Sequence, residues 1–110
     1  MATTTYKILG QVAPAATTET DLYTVPASTE TIVSSLVIAN RGSTSATYRI
    51  SVSNNGSATA TKDYLIYDAP LSPNSVVALT LGITLDATDK IRVYGSTADL
   101  SVNAFGSELA

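Results

Sequence analysis

Apolar and polar residues alternate with a period of two along most of the chain. Tyr48, Ile50 and Val52 alternate with charged and hydroxyl-bearing residues, and the same pattern recurs over residues 79–85 and 90–94. This period is typical of strands with one buried and one solvated face. No window of eleven residues shows the apolar stripe of an amphipathic helix. The pattern therefore predicts a protein built from strands.

Turn-forming residues divide the alternating segments at fairly even spacing. Asn55-Gly56 is a strong tight-turn dipeptide because both residues tolerate positive φ, and Pro70 and Pro73 bracket a segment that cannot continue a central strand. The predicted strands cover about residues 4–9, 20–25, 31–39, 46–53, 61–68, 75–81, 90–94 and 99–105. About eight short strands joined by turns favour an all-β fold, a single antiparallel β-sandwich of jelly-roll type.

The predicted strand 31–39 is apolar on both faces. Strict alternation places Ile32, Leu36 and Ile38 on one face, and Val33, Val37 and Ala39 on the other. Either this is a central strand covered by the second sheet and by a partner subunit, or a loop of the same chain covers its outer face.

A chain of 110 residues is expected to form one domain. Within it we expect residues 1–19 to form an N-terminal strand or arm and residues 20–110 the sandwich. The N-terminal residues lack the basic-then-apolar order of a secretory signal. The longest apolar stretch, 32–39, is far too short to span a membrane.

The absence of Cys and His excludes most catalytic chemistry. Without them a chain has no thiolate or imidazole metal site, no disulfide and no Ser-His-Asp or Cys-His machinery. The lysines, which a Ser–Lys pair would need, are predicted at strand ends. We expect no enzyme, no catalytic residue and no cofactor.

Carboxylates and tyrosines are the remaining candidates for chemistry. Asp63 and Asp68 are separated by five residues, which places them on opposite faces of a strand and argues against an acid/base pair. Asp86 and Asp89 share one turn, where carboxylates either hold a calcium ion or bond their own backbone, and the second is the common role of Asp in turns. The six tyrosines either form a sugar-stacking platform or belong to the core and interfaces.

Low charge is the most informative feature of the composition. Only 14% of the residues are charged, the net charge is −3, and the six Lys and Arg residues are scattered, which argues against nucleic acid as a partner. Thirty of the 110 residues are Thr or Ser. Such surfaces lose little solvation when covered, since few charges must be desolvated. We expect an assembly component, in the form of a homo-oligomer.

The order of several segments resembles small all-β bacteriophage virion proteins. These segments are Asp21-Leu-Tyr-Thr-Val-Pro-Ala, Val33-Ser-Ser-Leu-Val-Ile-Ala-Asn, Lys62-Asp-Tyr-Leu-Ile-Tyr-Asp-Ala-Pro-Leu, Ala78-Leu-Thr-Leu-Gly-Ile-Thr-Leu and the segment from Asp89 to Leu109. The resemblance covers about residues 20–109. It implies a structural protein of a tailed phage, on the capsid exterior or the tail, and no catalytic residues.

Two functions are compatible with this resemblance, and a third possibility is a tail or neck spacer without a ligand. One is a capsid decoration (cement) protein that clamps the major capsid protein, expected as a trimer at local threefold positions. The other is a tail- or fibre-associated module that contacts tail proteins and binds a host surface glycan. For the interface we predict apolar residues that lie outside the predicted strands or on strand faces whose orientation the pattern does not decide. These residues are Tyr6, Leu9, Val12, Leu22, Val33, Val37 and Ala39.

Overall fold

The structure, a computed structural model, describes residues 2–110. This part of the chain contains nine strands and no α-helix, and two short 3-10 turns, Asn54–Gly56 and Thr61–Asp63, lie between the fourth and fifth strands. The strands are β1 (Thr4–Val12), β2 (Thr20–Thr24), β3 (Glu30–Asn40), β4 (Ala46–Ser53), β5 (Tyr64–Leu71), β6 (Val76–Leu79), β7 (Ile83–Leu85), β8 (Lys90–Gly95) and β9 (Leu100–Leu109).

The strands form two antiparallel sheets that pack face to face. One sheet has the order β1-β9-β3-β6, and β7 pairs with the first part of β3 on the same side as β6. The other sheet has the order β2-β8-β4-β5. The chain passes repeatedly from one sheet to the other, so strands close in sequence lie in different layers. This is the arrangement of a jelly roll. The predicted all-β antiparallel sandwich is confirmed.

The core lies between the sheets and is filled by the inward half of each alternation. Its most deeply buried large side chains, each with under 2% of its surface exposed, are Leu36, Ile38, Ile50, Ile91, Leu100, Val25, Val33 and Val93. Thr31 is also buried there, whereas Ser51 and Ser53 are buried on the outer side of β4, opposite Arg92 and Lys90. In the described residues, every buried polar side-chain atom has a hydrogen-bond partner. Short β-branched and hydroxyl side chains suit such a pleated surface.

The fifth strand differs from its prediction at both ends. Residues 61–63 form a 3-10 turn, and β5 runs from Tyr64 through Pro70 to Leu71. The expectation that Pro70 opens the loop is therefore wrong. β5 is an edge strand that pairs with β4 alone, and an edge strand tolerates proline because an outward N–H is not needed for pairing.

The alternation over residues 79–85 does not form one continuous strand. β6 ends at Leu79 and β7 begins at Ile83, and both pair with β3. Gly82 between them has a φ of 66°, a left-handed conformation that glycine adopts without steric cost. Leu81 is consequently exposed. The predicted strand 75–81 is thus shorter than expected, and nine strands replace about eight.

Two bulges flank the central strand β9 at the same level. In β1 the pairing passes from Ile8 to Gly10, which leaves Leu9 as the extra residue. In β3 it passes from Val33 to Ser35, which leaves Ser34 as the extra residue, and the Ser34 hydroxyl donates to the Phe105 carbonyl at 3.1 Å. A bulge bends its strand and increases the local twist.

The Ser34 bulge reverses the faces expected for β3. Val33, Leu36 and Ile38 point into the core, while Ile32 has 56% of its surface exposed. Grouping Ile32 with Leu36 and Ile38 was therefore wrong, because an extra residue shifts the two-residue period by one position.

Gly106 permits the close strand approach beside this bulge. A Cβ atom on Gly106 would collide with the backbone carbonyl oxygen of Ile32. Because the obstacle is backbone rather than a flexible side chain, the strand itself would have to move.

We predict that Gly106→Ala destabilises the fold by about 1–3 kcal/mol, the usual cost of forcing extra atoms into a packed site. Urea unfolding of the purified protein measures the change. The control is Ser107→Ala on the next residue of β9, which is half-buried and should change the free energy of unfolding by less than about 0.5 kcal/mol. Equal stabilities of Gly106→Ala and the native chain would contradict the proposed packing.

Candidate interaction surface

The outer face of the five-stranded sheet is almost free of charge. The strand register places one set of apolar side chains on this side: Tyr6, Ile8, Ile32, Val37, Ala39, Val76, Ala78, Phe105 and Leu109. Hydroxyl and amide side chains fill the places between them: Thr4, Gln11, Ser35, Thr84, Ser101, Asn103 and Ser107. Among residues 2–110, Glu30 at one end is the one charged residue that the register places here. We call this surface the neutral face.

Several of its large side chains are mostly exposed to solvent. Tyr6 has 84% of its surface exposed and Val76 has 62%. Beside Ile32, a cavity of about 320 Å³ opens between Leu85 and Leu109. A contiguous apolar surface on a folded domain marks a site of interaction.

The outer face of the four-stranded sheet has the opposite character. Asp21 pairs with Lys90 at 2.8 Å and with Arg92 at 3.0 Å, and Arg49 pairs with Asp68 at 2.7 Å. The hydrogen bond from Lys90, aided by that from Arg92, lowers the pKa of Asp21 although its partial burial acts the other way. We call this surface the charged face. The two sides of the sandwich therefore suit different surroundings.

Aromatic rings surround Arg49 on the charged face. Its guanidinium lies 4.2 Å from the ring centre of Tyr67 and 4.1 Å from that of Tyr94, and Tyr64 meets Tyr67 edge-on at 4.9 Å. Next to them is a cavity of about 490 Å³ lined by Thr59, Ala60, Thr61, Tyr64 and Tyr67. Hydroxyl groups beside an exposed tyrosine ring are suited to polar ligands that also stack.

The turn carboxylates bind backbone amides. Asp89 accepts hydrogen bonds from the N–H groups of Asp86 and Asn55, each at 2.9 Å, and thereby joins two turns. Asp63 accepts one from the Ala60 N–H at 2.9 Å, and Asp68 pairs with Arg49. Within residues 2–110 no three metal-ligating side chains form a group that could hold an ion.

The predicted interface residues divide between the neutral face and the core. Tyr6, Val37 and Ala39 lie on the neutral face. Val12 is half-buried and packs against the core. The remaining three, Leu9, Leu22 and Val33, are core residues.

Two causes bury these three residues. The Ser34 bulge turns Val33 into the core, whereas Leu9 and Leu22 alternate with the outward residues Ile8 and Asp21 and therefore face inward. The neutral face also includes residues that the prediction missed, notably Ile8, Ile32, Phe105 and Leu109. Ile8 follows Tyr6 at the two-residue period, which was the available signal.

A small polar network fixes β1 from its inner side. The Tyr23 hydroxyl donates to one carboxylate oxygen of Glu108 and lies 2.8 Å from the Thr31 hydroxyl, while Lys7 Nζ is 3.2 Å from the other oxygen of Glu108. These contacts lower the pKa of Glu108, with the tyrosine bond as the larger cause. Burial and the bond to Glu108 raise the pKa of Tyr23 to about 12. The network ties β1 and β9 to the opposite sheet.

Comparison with solved structures supports the fold. The chain matches a structure of the infectious bursal disease virus Gx strain with a TM-score of 0.59 and 14% identity, over 99% of this chain and 32% of the other. It also matches a crystal structure of the T13 particle of infectious bursal disease virus, with a TM-score of 0.55 and 13% identity, over 99% of this chain and 30% of the other. The chain thus spans about a third of the chains that it matches.

Sequence comparisons give no family. No protein-family model matches the chain, and no curated protein does. Residues 2–110 contain no helix with the length and hydropathy needed to cross a membrane.

We predict that Glu108 makes the stability of the protein sensitive to acid. The pKa of Glu108 is lower in the folded state than its ordinary value of 4.5. Its contribution to the free energy of unfolding is therefore complete above pH 4.5 and is lost as the pH falls through the lowered pKa. Unfolding free energies of the native protein and Glu108→Gln, measured from pH 7 to pH 3, should converge as the pH falls. A gap that stays constant over this interval would contradict the ionised network.

Proposed function

We propose that this protein is a non-enzymatic structural component of a virus particle, and specifically a decoration (cement) protein on the capsid exterior of a bacteriophage. The observation that carries the proposal is the neutral face, a whole sheet surface without charges except at one end. Two further facts support it: jelly rolls occur in viral capsids, and the two similar solved structures come from a virus.

The neutral face is suited to bind the major capsid protein. Four strands about 4.8 Å apart, with about ten residues at 3.3 Å each, cover on the order of 600 Å². A standard interface buries about 800 Å² on each partner. Because side chains protrude from the plane of the sheet, the accessible area of the neutral face comes close to that size. Its lack of charge keeps the desolvation cost of binding low.

The energetics of this contact favour many copies. The two partners together bury roughly 1,200 Å², and about half of it is apolar, which contributes roughly 15 kcal/mol at about 25 cal/mol per Å². Association costs roughly 4–15 kcal/mol. The upper end of this cost cancels the gain for a single copy, and an oligomer adds the avidity that firm attachment requires. This supports a homo-oligomer rather than a monomer on the shell.

In this arrangement the charged face points to solvent. Its ion pairs keep the exterior hydrated, and β1 forms the edge of the five-stranded sheet that faces a neighbouring subunit.

We predict that Ile32→Asp lowers the affinity for decoration-free capsids at least tenfold, because it places a carboxylate among the exposed apolar side chains of the neutral face. The control is Leu65→Asp, since Leu65 is a comparably exposed aliphatic residue on the four-stranded sheet and should leave binding unchanged. Co-sedimentation with empty capsids and the heat resistance of the decorated shells are the measurements. Capsids that bind no native protein, or bind both variants equally, would refute the decoration role on this face.

A second candidate is a tail- or fibre-associated module that binds a host surface glycan. The cavity beside Tyr67 favours it, because this ring has 58% of its surface exposed and adjoins the hydroxyls of Thr59 and Thr61.

For this candidate, we predict a glycan-array signal that Tyr67→Ala and Tyr94→Ala abolish. Leu65→Ala, a substitution on the same strand as Tyr67, serves as the control and should keep the signal. No binding of the native protein to any host polysaccharide would exclude the glycan function.

A further inference from the structure

The edge of the five-stranded sheet at β1 differs from the other sheet edges in the described part of the chain. Natural edges are usually protected by bulges, prolines, charged side chains or short length. β2 has five residues and a bulge at Leu22, β5 has two register shifts and Pro70, and β6 and β7 have four and three residues separated by Gly82. β1 has nine residues, and its first half, Thr4–Ile8, pairs regularly with β9 and is exposed throughout.

The backbone hydrogen bonds show which groups this edge presents. Thr3 and Ala110 exchange both of their backbone bonds, so they form a hydrogen-bonded pair. In an antiparallel ladder such pairs alternate with pairs that exchange none. Thr5 and Lys7 therefore direct their N–H and C=O groups toward β9, whereas Thr4, Tyr6 and Ile8 direct theirs away from the sheet.

We propose that Thr4–Ile8 pairs antiparallel with the same segment of a second copy, with Tyr6 opposite Tyr6 on the twofold axis. Thr4 then lies opposite Ile8, and Thr5 lies opposite Lys7. Each outward N–H and C=O of Thr4, Tyr6 and Ile8 finds a partner in this register.

The side chains are compatible with the pairing. The register brings an aromatic pair together at its centre, and aromatic pairs stabilise antiparallel strands. Lys7 is the one charge in β1, and it faces Thr5 of the other copy rather than a second lysine. Its ammonium group is also bound by Glu108 of its own chain.

The pairing extends the neutral face. Residues directly opposite each other in a ladder point to the same side of the sheet. The two neutral faces thus join on one side of a continuous sheet, and both copies can contact one capsid surface. The copy-to-copy contact is measured in solution without capsids, so its failure leaves the capsid-binding test unaffected.

The experiment compares the native protein with Tyr6→Pro and Tyr6→Thr by sedimentation equilibrium over a concentration series. Tyr6→Pro removes an N–H that has no partner within its own sheet, and by symmetry two interchain bonds are lost. We expect its dimer dissociation constant to rise about 30-fold, whereas Tyr6→Thr keeps the N–H and a dimer. A native monomer at all concentrations, or a trimer, would overturn the proposal.

Amide hydrogen exchange tests the same pairing without a substitution. We expect Thr5 and Lys7 to be protected at every concentration, and Thr4, Tyr6 and Ile8 to become protected as dimers form. Rapid exchange of the second set in concentrated samples would overturn the proposal even if Tyr6→Pro failed to fold.

Discussion

The bulges at Leu9 and Ser34 hold the neighbours of β9 in a register that strict alternation would not produce. Both lie at the level of Phe105, one on each side of the strand. Each adds one residue to its strand, so side chains before and after the bulge exchange faces. By this means Val33 faces the core and Ile32 lies outside, although Leu36 and Ile38 also face the core. Likewise Val12 packs against the core, while Tyr6 and Ile8 lie outside. The neutral face depends on this constraint, and Gly106 leaves room for it.

The few charged residues of the chain are distributed unevenly between the outer faces of the two sheets. Of the few charges in the chain, Asp21, Arg49, Asp68, Lys90 and Arg92 pair with one another on the four-stranded sheet. The five-stranded sheet is thereby left with an outer surface of apolar and hydroxyl side chains. A surface of this kind loses little solvation when it is covered, which is the physical basis for the proposed role in a virus particle.

The sequence predicted the fold class well because the two-residue period survives in most strands. The core residues Ile50, Ile91 and Val93 follow it directly. The faces of β3 were predicted incorrectly, since a bulge leaves no mark in composition and shifts every face beyond it: Val33 was grouped with Val37 and Ala39 but lies in the core. To predict that Pro70 lies within a strand, one must know that β5 is an edge strand, which is a property of the tertiary arrangement.

A reconstruction of the virus particle, at a resolution that distinguishes the two sheets, would show which sheet meets the capsid. We expect this protein on the capsid exterior, with the five-stranded sheet against the shell and Arg49 toward solvent. A position on the tail, or an orientation with the Arg49 side buried against the shell, would contradict it.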